Sequence, residues 1–497
     1  MAKTGKRDGR LAVSIAAVIL VMGTQLIPPG GGSAQADPVK GTWSAPFNLG
    51  ITAVHSIVLP SGKVLMVSRA AITSGPLARL WDPTTNTSID VSHPDATRDL
   101  YCGGHSLLAD GRVLLTGGNL RVGAKDGVKA SDVFDGSGPL RWVQSPSLSQ
   151  ARWYPTNVQM GDGRVLVFGG HEKEGVFANT VDSYNAAATQ LTPLPPSATR
   201  QVGLYPRMHL MPDGRLFYSG VTTDPLGKTA RFFNPTSNSW STAVDSFNFG
   251  VRSDGMSVLL PGLERVLAIG GSKTESGTSG NATATTEIID LSAANPQWSN
   301  AAPMKIARKE ANSVMLPDGK LLVVGGAKGP GSYRNPVKAA EMFDPSTGTW
   351  TLMAAQTAPR AHHSTAVLLP DGRVLSAGHD KGTYLMTGEI YSPPYLFKGS
   401  RPVISSAPGS LGYGQQFTLS TPNSAGIERV ALIKAAAVTH SHSFDQRYVD
   451  LDFTAIGDSL SVTAPATQEI APRGHYMMFI INSTGVPSVA SWVHVGS

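Results

Sequence analysis

The chain has 497 residues, of which only 15% are charged, with 54 glycines, 35 prolines and a formal net charge of +6. Such a turn-rich, charge-poor composition suits an all-β protein with many tight connections, and a weak positive balance without a basic run excludes a nucleic-acid partner. A single cysteine, Cys102, excludes an internal disulfide and leaves a thiol that is free, bound or modified.

The first residues read as an export signal. Lys3, Lys6, Arg7 and Arg10 precede the apolar run Leu11–Leu20, which extends to Ile27 and ends in Pro28-Pro29 and a glycine stretch. Ala34-Gln35-Ala36 follows as a small-x-small cleavage site, so residues 1–36 are expected to be removed and the mature chain to be secreted. A membrane anchor is the competing reading of the same run. No later segment is apolar enough to span a bilayer, and without residues 1–36 the formal charge is +3.

A short phrase then recurs: a turn with Asp-Gly or its equivalent, a basic residue, and an apolar strand often ending in Gly-Gly. It occurs at Ser61-Gly62-Lys63, Asp110-Gly111-Arg112, Asp162-Gly163-Arg164 and Asp213-Gly214-Arg215, then at Gly262 in a degenerate form. Asp318-Gly319-Lys320 and Asp371-Gly372-Arg373 complete the series, at spacings of 49, 52, 51, 49, 56 and 53 residues. A period of this length is that of kelch-type propellers. Seven units predict seven blades within residues 37–398. The apolar segments Val113–Leu115, Val165–Phe168 and Leu321–Val324 are expected to be inner strands buried on both faces.

Equivalent positions of each blade should lie on a ring about the axis. Eight residues upstream of each turn stand Ala53, Cys102, Tyr154, Tyr205, Asp254 (or Gly255), Glu310 and His363. A purely structural position would repeat one small or apolar residue, and the axial ends of propellers are where sites form. In isolation Cys102 reads equally well as a buried, inert thiol.

Past residue 398 the period stops. Residues 399–497 hold short alternating strands at Gln416–Leu419, Arg429–Lys434, Ser459–Val462, Tyr476–Ile481 and Trp492–Val495, which suggest an immunoglobulin-like sandwich.

Four segments carry a family resemblance. Arg98-Asp99-Leu100-Tyr101-Cys102-Gly103-Gly104-His105 resembles the segment with the cross-linked cysteine of galactose oxidase and glyoxal oxidase. Ala151-Arg152-Trp153-Tyr154-Pro155-Thr156 is similar to the glyoxal oxidase segment with the partner tyrosine. Arg360-Ala361-His362-His363-Ser364 matches the family's Arg-x-Tyr-His-Ser segment, and Thr439-His440 with Asp445-Gln446-Arg447 is similar to the segment supplying the second histidine. The resemblance implies a Cu(2+) site held by Tyr154, His363 and His440, a thioether between Cys102 and Tyr154, and oxidation of a small aldehyde or an alcohol, sugars included, by O2. Imidazole suits tetragonal copper, and a sulfur-substituted phenolate that stores one electron equivalent makes a two-electron oxidation open to a single copper. The mature protein is expected to be a monomer.

The pattern departs in two places. The axial tyrosine, which in the family binds copper weakly and is thought to accept the substrate's hydroxyl proton, is His362. An imidazole offers both a ligand and a base near neutrality, so His362 is assigned to metal binding and to catalysis. The tryptophan that stacks on the cross-linked tyrosine in galactose oxidase aligns with Glu172, while Trp153 adjoins Tyr154 in sequence.

Around this centre, Arg207 is a candidate for binding an oxygen-rich substrate or a salt bridge between blades. Tyr205 is a hydrogen-bond donor to the site or a packing residue. Glu310 is a base, or pairs with Arg308 or Lys309. His442, two residues after His440, would share its face on a strand and is an extra ligand or a polar neighbour. His55, His105 and His209 read as structural hydrogen-bonding groups. The alternative for the whole chain is an altered propeller that binds a glycan or an exported protein, since the fold serves both uses.

Overall fold

The computed structural model describes Met1 and residues 37–69, 77–95, 99–120, 125–223, 227–273, 280–331 and 333–496. The predicted export segment with its cleavage site lies outside the described residues, as does Arg98. Among the described residues the regular structure is β-strand with three short 3-10 turns, and no helix is long and apolar enough to cross a membrane.

The recurring phrase folds as a hairpin turn. The Leu108 N–H donates to Arg112 O (2.8 Å) and Gly111 N–H donates to Leu108 O (3.0 Å). That geometry sets Gly111 at φ +86°, where a side chain would strain the backbone. The Asp110 carboxylate accepts from the Arg112 backbone N–H (3.1 Å) and from its Nε (2.8 Å). The same side-chain pairing recurs at Arg164–Asp162, Arg215–Asp213 and Arg373–Asp371, while Lys63 and Lys320 reach Asp82 and Asp344 instead.

Seven antiparallel sheets with a four-stranded core follow one another along the chain. Their innermost strands are His55–Val58, Gly104–Leu107, Thr156–Gln159, Met208–Leu210, Met256–Leu259, Lys309–Met315 and Ser364–Leu368. The apolar segments after the turns therefore sit one place further out than expected: Val113–Thr116 lies between Gly104–Leu107 and Ser131–Asp135. The innermost strands instead bring polar side chains together across neighbouring sheets. Ser56 Oγ meets Thr365 Oγ1 at 2.8 Å, Asn312 Nδ2 donates to Ser364 Oγ at 2.9 Å, and His209 Nε2 meets Ser257 Oγ at 2.8 Å. Buried polar groups are tolerated there because they satisfy one another. Thr42–Trp43, from the start of the described chain, pairs with Tyr391–Ser392 and completes the last sheet from outside.

Residues 401–496 form two further sheets. One runs Ser410–Leu411, Ser491–Val495, Gly474–Asn482, Ile427–Lys434, Tyr448–Leu451, and the other Gln416–Ser420, Ser459–Thr463, Phe453–Ile456. Val430, Leu432, Leu460, Val462, Met478 and Ile480 fill the space between. A hairpin, Ala437–Thr439 with His442–Phe444, leaves this sandwich and adds to the inner edge of the first propeller sheet, Val438 opposite Ser56.

Four fully buried arginines repeat one interaction. Arg152, Arg252, Arg308 and Arg360 each donate from Nη1 to a glycine carbonyl (Gly169, Gly270, Gly325, Gly378; 2.8–3.0 Å). Their Nη2 atoms pair with Asp182, Glu287, Glu341 and Glu389 respectively. Removing one partner would strand a charge in the interior. Arg308→Ala is expected to cost about 3–5 kcal/mol of unfolding free energy. Arg112→Ala, at a partly exposed turn pair, should cost at most about 1 kcal/mol; urea titrations of both variants check the contrast.

Candidate metal and redox centre

Six of the seven ring positions, all but Ala53, share a backbone conformation. Cys102, Tyr154, Tyr205, Asp254, Glu310 and His363 all have φ between +43° and +64°, so Asp254 and not Gly255 occupies the fifth place. A left-handed residue that is not glycine costs roughly 1–2 kcal/mol, and such strain collects where a side chain is needed at that point. Successive members are joined by their backbones: Tyr154 N–H donates to Cys102 O (2.9 Å), Tyr205 N–H to Tyr154 O (2.8 Å), and Glu310 N–H to Asp254 O (3.0 Å). Placed at or just ahead of the start of each innermost strand, these residues converge at one end of the axis.

His440 arrives from the opposite direction, at the tip of the inserted hairpin. With Ser441 it forms a two-residue turn at φ +45° and +62°, the geometry that Asn-Gly usually occupies. This turn overturns the strand reading of residues 440–442. His442 lies beyond it, stacked against Phe444 at 4.4 Å, and stands outside the groups of potential ligand atoms among the described residues. Arg207 is also corrected. It is wholly buried, and its Nη atoms donate to Tyr205 O, Thr223 Oγ1, Gly255 O and His440 O. It ties the hairpin tip to the ring and does not face a substrate.

The hydrogen bonds fix which ring nitrogens keep their lone pairs. Thr439 Oγ1 donates to Val54 O (2.8 Å), so its contact with His440 Nδ1 (2.6 Å) is one in which the ring donates, and the Nε2 lone pair is left toward Cys102 Sγ at 3.9 Å. His363 Nδ1 lies 2.6 Å from Asp380 Oδ2 in an ion-pair contact, and both of its ring nitrogens face the Tyr101 hydroxyl, Nε2 at 3.1 Å and Nδ1 at 3.5 Å. Burial, with the neighbouring imidazoles adding to it, holds the pKa of both rings well below the usual histidine value, so both are neutral. Cys102 Sγ and one nitrogen from each of His363 and His440 lie within 4.8 Å of one another, all buried. Burial also pushes the Cys102 thiol well above its ordinary pKa, opposed by hydrogen bonds with Tyr101 and Tyr154.

Tyr154 lies edge-on to His440, ring centroids 4.5 Å apart. One of its faces is covered by Trp153 at 3.6 Å and 13°, the other by Tyr205 at 4.5 Å and 26°. Trp153, adjacent in sequence, is the indole that stacks on Tyr154. Tyr205 donates its hydroxyl to Gly103 O at 2.9 Å, so its part at the centre is to pack against Tyr154.

His362 packs at the edge of the centre, its ring centroid 3.6 Å from that of His363 and 5.7 Å from that of His440. Its atoms group with His363 and Asp380 and not with Cys102 and His440. Its Nδ1 meets Glu310 Oε1 at 2.9 Å, with 13% of its side chain exposed. The Glu310 pairing occupies Nδ1 and leaves Nε2 as the atom His362 can offer beside His363 and Asp380. Of the two cations expected beside Glu310, Arg308 is taken up by Glu341 and Lys309 Nζ donates to Gly280 O. His55 Nε2 accepts the Cys102 N–H (3.2 Å), so His55 Nδ1 donates to His105 Nδ1 (3.0 Å); these are structural roles.

Three groups at the centre escape a reading of the sequence. Tyr101 places its hydroxyl 3.1 Å from His363 Nε2. Asp380 orients His363, and Arg69 Nη1 reaches the Tyr101 oxygen at 3.4 Å. A signal for Asp380 is present: the last repeat reads Gly378-His379-Asp380 where others have Gly-Gly, and His379 holds the glycine-like φ of +106°.

Comparison with known proteins agrees with this arrangement. The family described as Glyoxal oxidase N-terminus matches residues 78–394, and a Galactose oxidase-like, Early set domain matches residues 401–495. An aldehyde oxidase of Vitis pseudoreticulata is 31% identical over 93% of this chain and 98% of its own. A galactose oxidase of Gibberella zeae is 29% identical over 92% of this chain and 71% of its own. Among solved structures, a fungal alcohol oxidase in complex with copper superposes with a TM-score of 0.78 at 26% identity, covering 92% of this chain and 100% of that one. The chain belongs to the galactose oxidase and glyoxal oxidase family of copper radical oxidases.

The strained hairpin tip is testable on its own. Ser441 is buried, its hydroxyl has no partner among the described residues, and its backbone is left-handed. Ser441→Gly is expected to raise stability by about 1 kcal/mol, read as a higher urea midpoint with an unchanged slope.

Proposed function

We propose that this chain is an exported, monomeric copper radical oxidase that oxidises small aldehydes or primary alcohols with O2 and yields H2O2. The observation that carries the reading is the convergence of one sulfur and two neutral imidazole nitrogens beside the doubly stacked ring of Tyr154. That donor set fits copper, for which imidazole and phenol oxygen are suitable ligands. Tyr154, His363 and His440 would hold the ion. When bound, copper supplies one of the two electron-accepting groups the oxidation requires.

The chain supplies the other. Cys102 Sγ would join a ring carbon of Tyr154 ortho to the hydroxyl; the S–H and ring C–H hydrogens leave, and O2 takes both as H2O2. Trp153 and Tyr205 cover the two faces of that ring and exclude water from it. His362 donates Nδ1–H to Glu310, so its Nε2 keeps a lone pair at the partly exposed edge of the centre. There it would accept the proton of a substrate hydroxyl, Glu310 fixing the tautomer as carboxylates do for catalytic imidazoles.

Two measurements test this. After exposure to Cu(II) and O2, the tryptic peptides Asp99–Arg112 and Trp153–Arg164 should run as one species two hydrogens lighter than their sum; separate peptides with a free thiol would leave a propeller that binds a partner. His362→Gln should lower kcat for H2O2 release by about 10²–10⁴-fold while the cross-link still forms; unchanged turnover would remove His362 from the mechanism.

A further inference from the structure

We propose that the hydroxyl oxygen of Tyr101 occupies a coordination position on the copper, supplying the second phenol that position 362 lacks. The inference rests on the copper reading above and goes beyond it, because no family segment assigns Tyr101 a role. Tyr101 is buried, 6% exposed. Its oxygen lies 3.1 Å from His363 Nε2 and 3.5 Å from His363 Nδ1, and its hydroxyl also interacts with the Cys102 thiol. Its ring stands perpendicular to His363, centroids 5.1 Å apart, and 6.4 Å from His440.

Two adjacent ligands on a tetragonal ion with bonds of about 2 Å lie about 2.8–3 Å apart. The separation of Tyr101 oxygen from His363 Nε2 already approaches that value. Without metal, this contact is a hydrogen bond to the Nε2 lone pair. An ion that takes the lone pair removes the acceptor and leaves the phenol oxygen facing the ion. The oxygen is held there by a closed circuit. Arg69 Nη1 donates to it (3.4 Å), Arg69 Nε pairs with Asp380 Oδ2 (3.7 Å), and Asp380 Oδ2 lies 2.6 Å from His363 Nδ1. His362 has Nδ1 committed to Glu310 and groups with His363 and Asp380 instead of with Cys102 and His440, its ring centroid 3.6 Å from that of His363. The two duties of the missing tyrosine are thereby divided, with ligation assigned to Tyr101 and proton acceptance to His362.

The test is the Cu(II) electron paramagnetic resonance spectrum and copper affinity, by competition with a chelator, of wild type, Tyr101→Phe and His362→Gln. Tyr101→Phe is expected to change the copper hyperfine pattern and weaken binding roughly tenfold or more, while His362→Gln leaves both as in wild type. A Tyr101→Phe spectrum superimposable on wild type, or a His362→Gln spectrum that shifts as far, overturns the inference and leaves the copper reading standing. Wild type that binds no Cu(II) overturns both. A crystal of the wild type soaked in Cu(II) decides the matter independently of variant folding: the Tyr101 oxygen is nearer the ion than any His362 nitrogen, or the inference fails.

Discussion

The centre depends on a buried arginine repeated around the propeller. Arg152, Arg252 and Arg308 each stand two residues before a ring residue, and Arg360 stands three before His363. Each bridges a glycine carbonyl at the end of one strand to a carboxylate on the next, with no side-chain exposure at either charge. A bidentate guanidinium is the group that can do this with little loss of rotamer freedom per bond. Such pairs add little net stability over an apolar core. Their effect is geometric: they hold the chain rigidly just before it turns left-handed, and so aim Tyr154, Asp254, Glu310 and His363 toward the axis.

The second constraint acts from the other domain. The hairpin that carries His440 pairs its strand with His55–Val58, so the register of the added strand sets how far the tip reaches. Arg207 then binds the carbonyl of His440 itself, while Thr439 fixes the ring's tautomer. Position, reach and protonation of one imidazole are thus set by three independent contacts. A centre assembled from two domains needs this redundancy, since a loop tip alone would not hold a ligand to the tolerance that a metal requires.

Much of this is legible in the sequence. The Asp-Gly turns set the period because their physics is local: a left-handed glycine and an aspartate that caps its own turn. Counting from them reaches Cys102, Tyr154, Tyr205 and His363, since the distance from turn to ring is one strand of fixed length. What escapes depends on contacts between distant segments. Tyr101 lies one residue off the counted position, and a residue off on a strand is assigned to the wrong face; only the left-handed bend at Cys102 brings both side chains to the centre. Arg207 stays open in sequence between a substrate group and a structural tie because burial cannot be counted from a turn. His442 is misplaced because His-Ser carries no turn signal where Asn-Gly would have.

The same contrast explains why the centre can depart from its family's pattern and keep its frame. The arginine bridges, the turn aspartates and the added strand are indifferent to which side chain stands at 362. The side chain at 362 makes none of the contacts that fix the backbone of Tyr154, His363 or His440. Glu310, a ring member from the neighbouring blade, takes up the imidazole that stands there. Trp153, adjacent in the chain, covers one face of Tyr154. Substitution is confined to side chains that enter the centre from the ring, and the ring itself is held from behind.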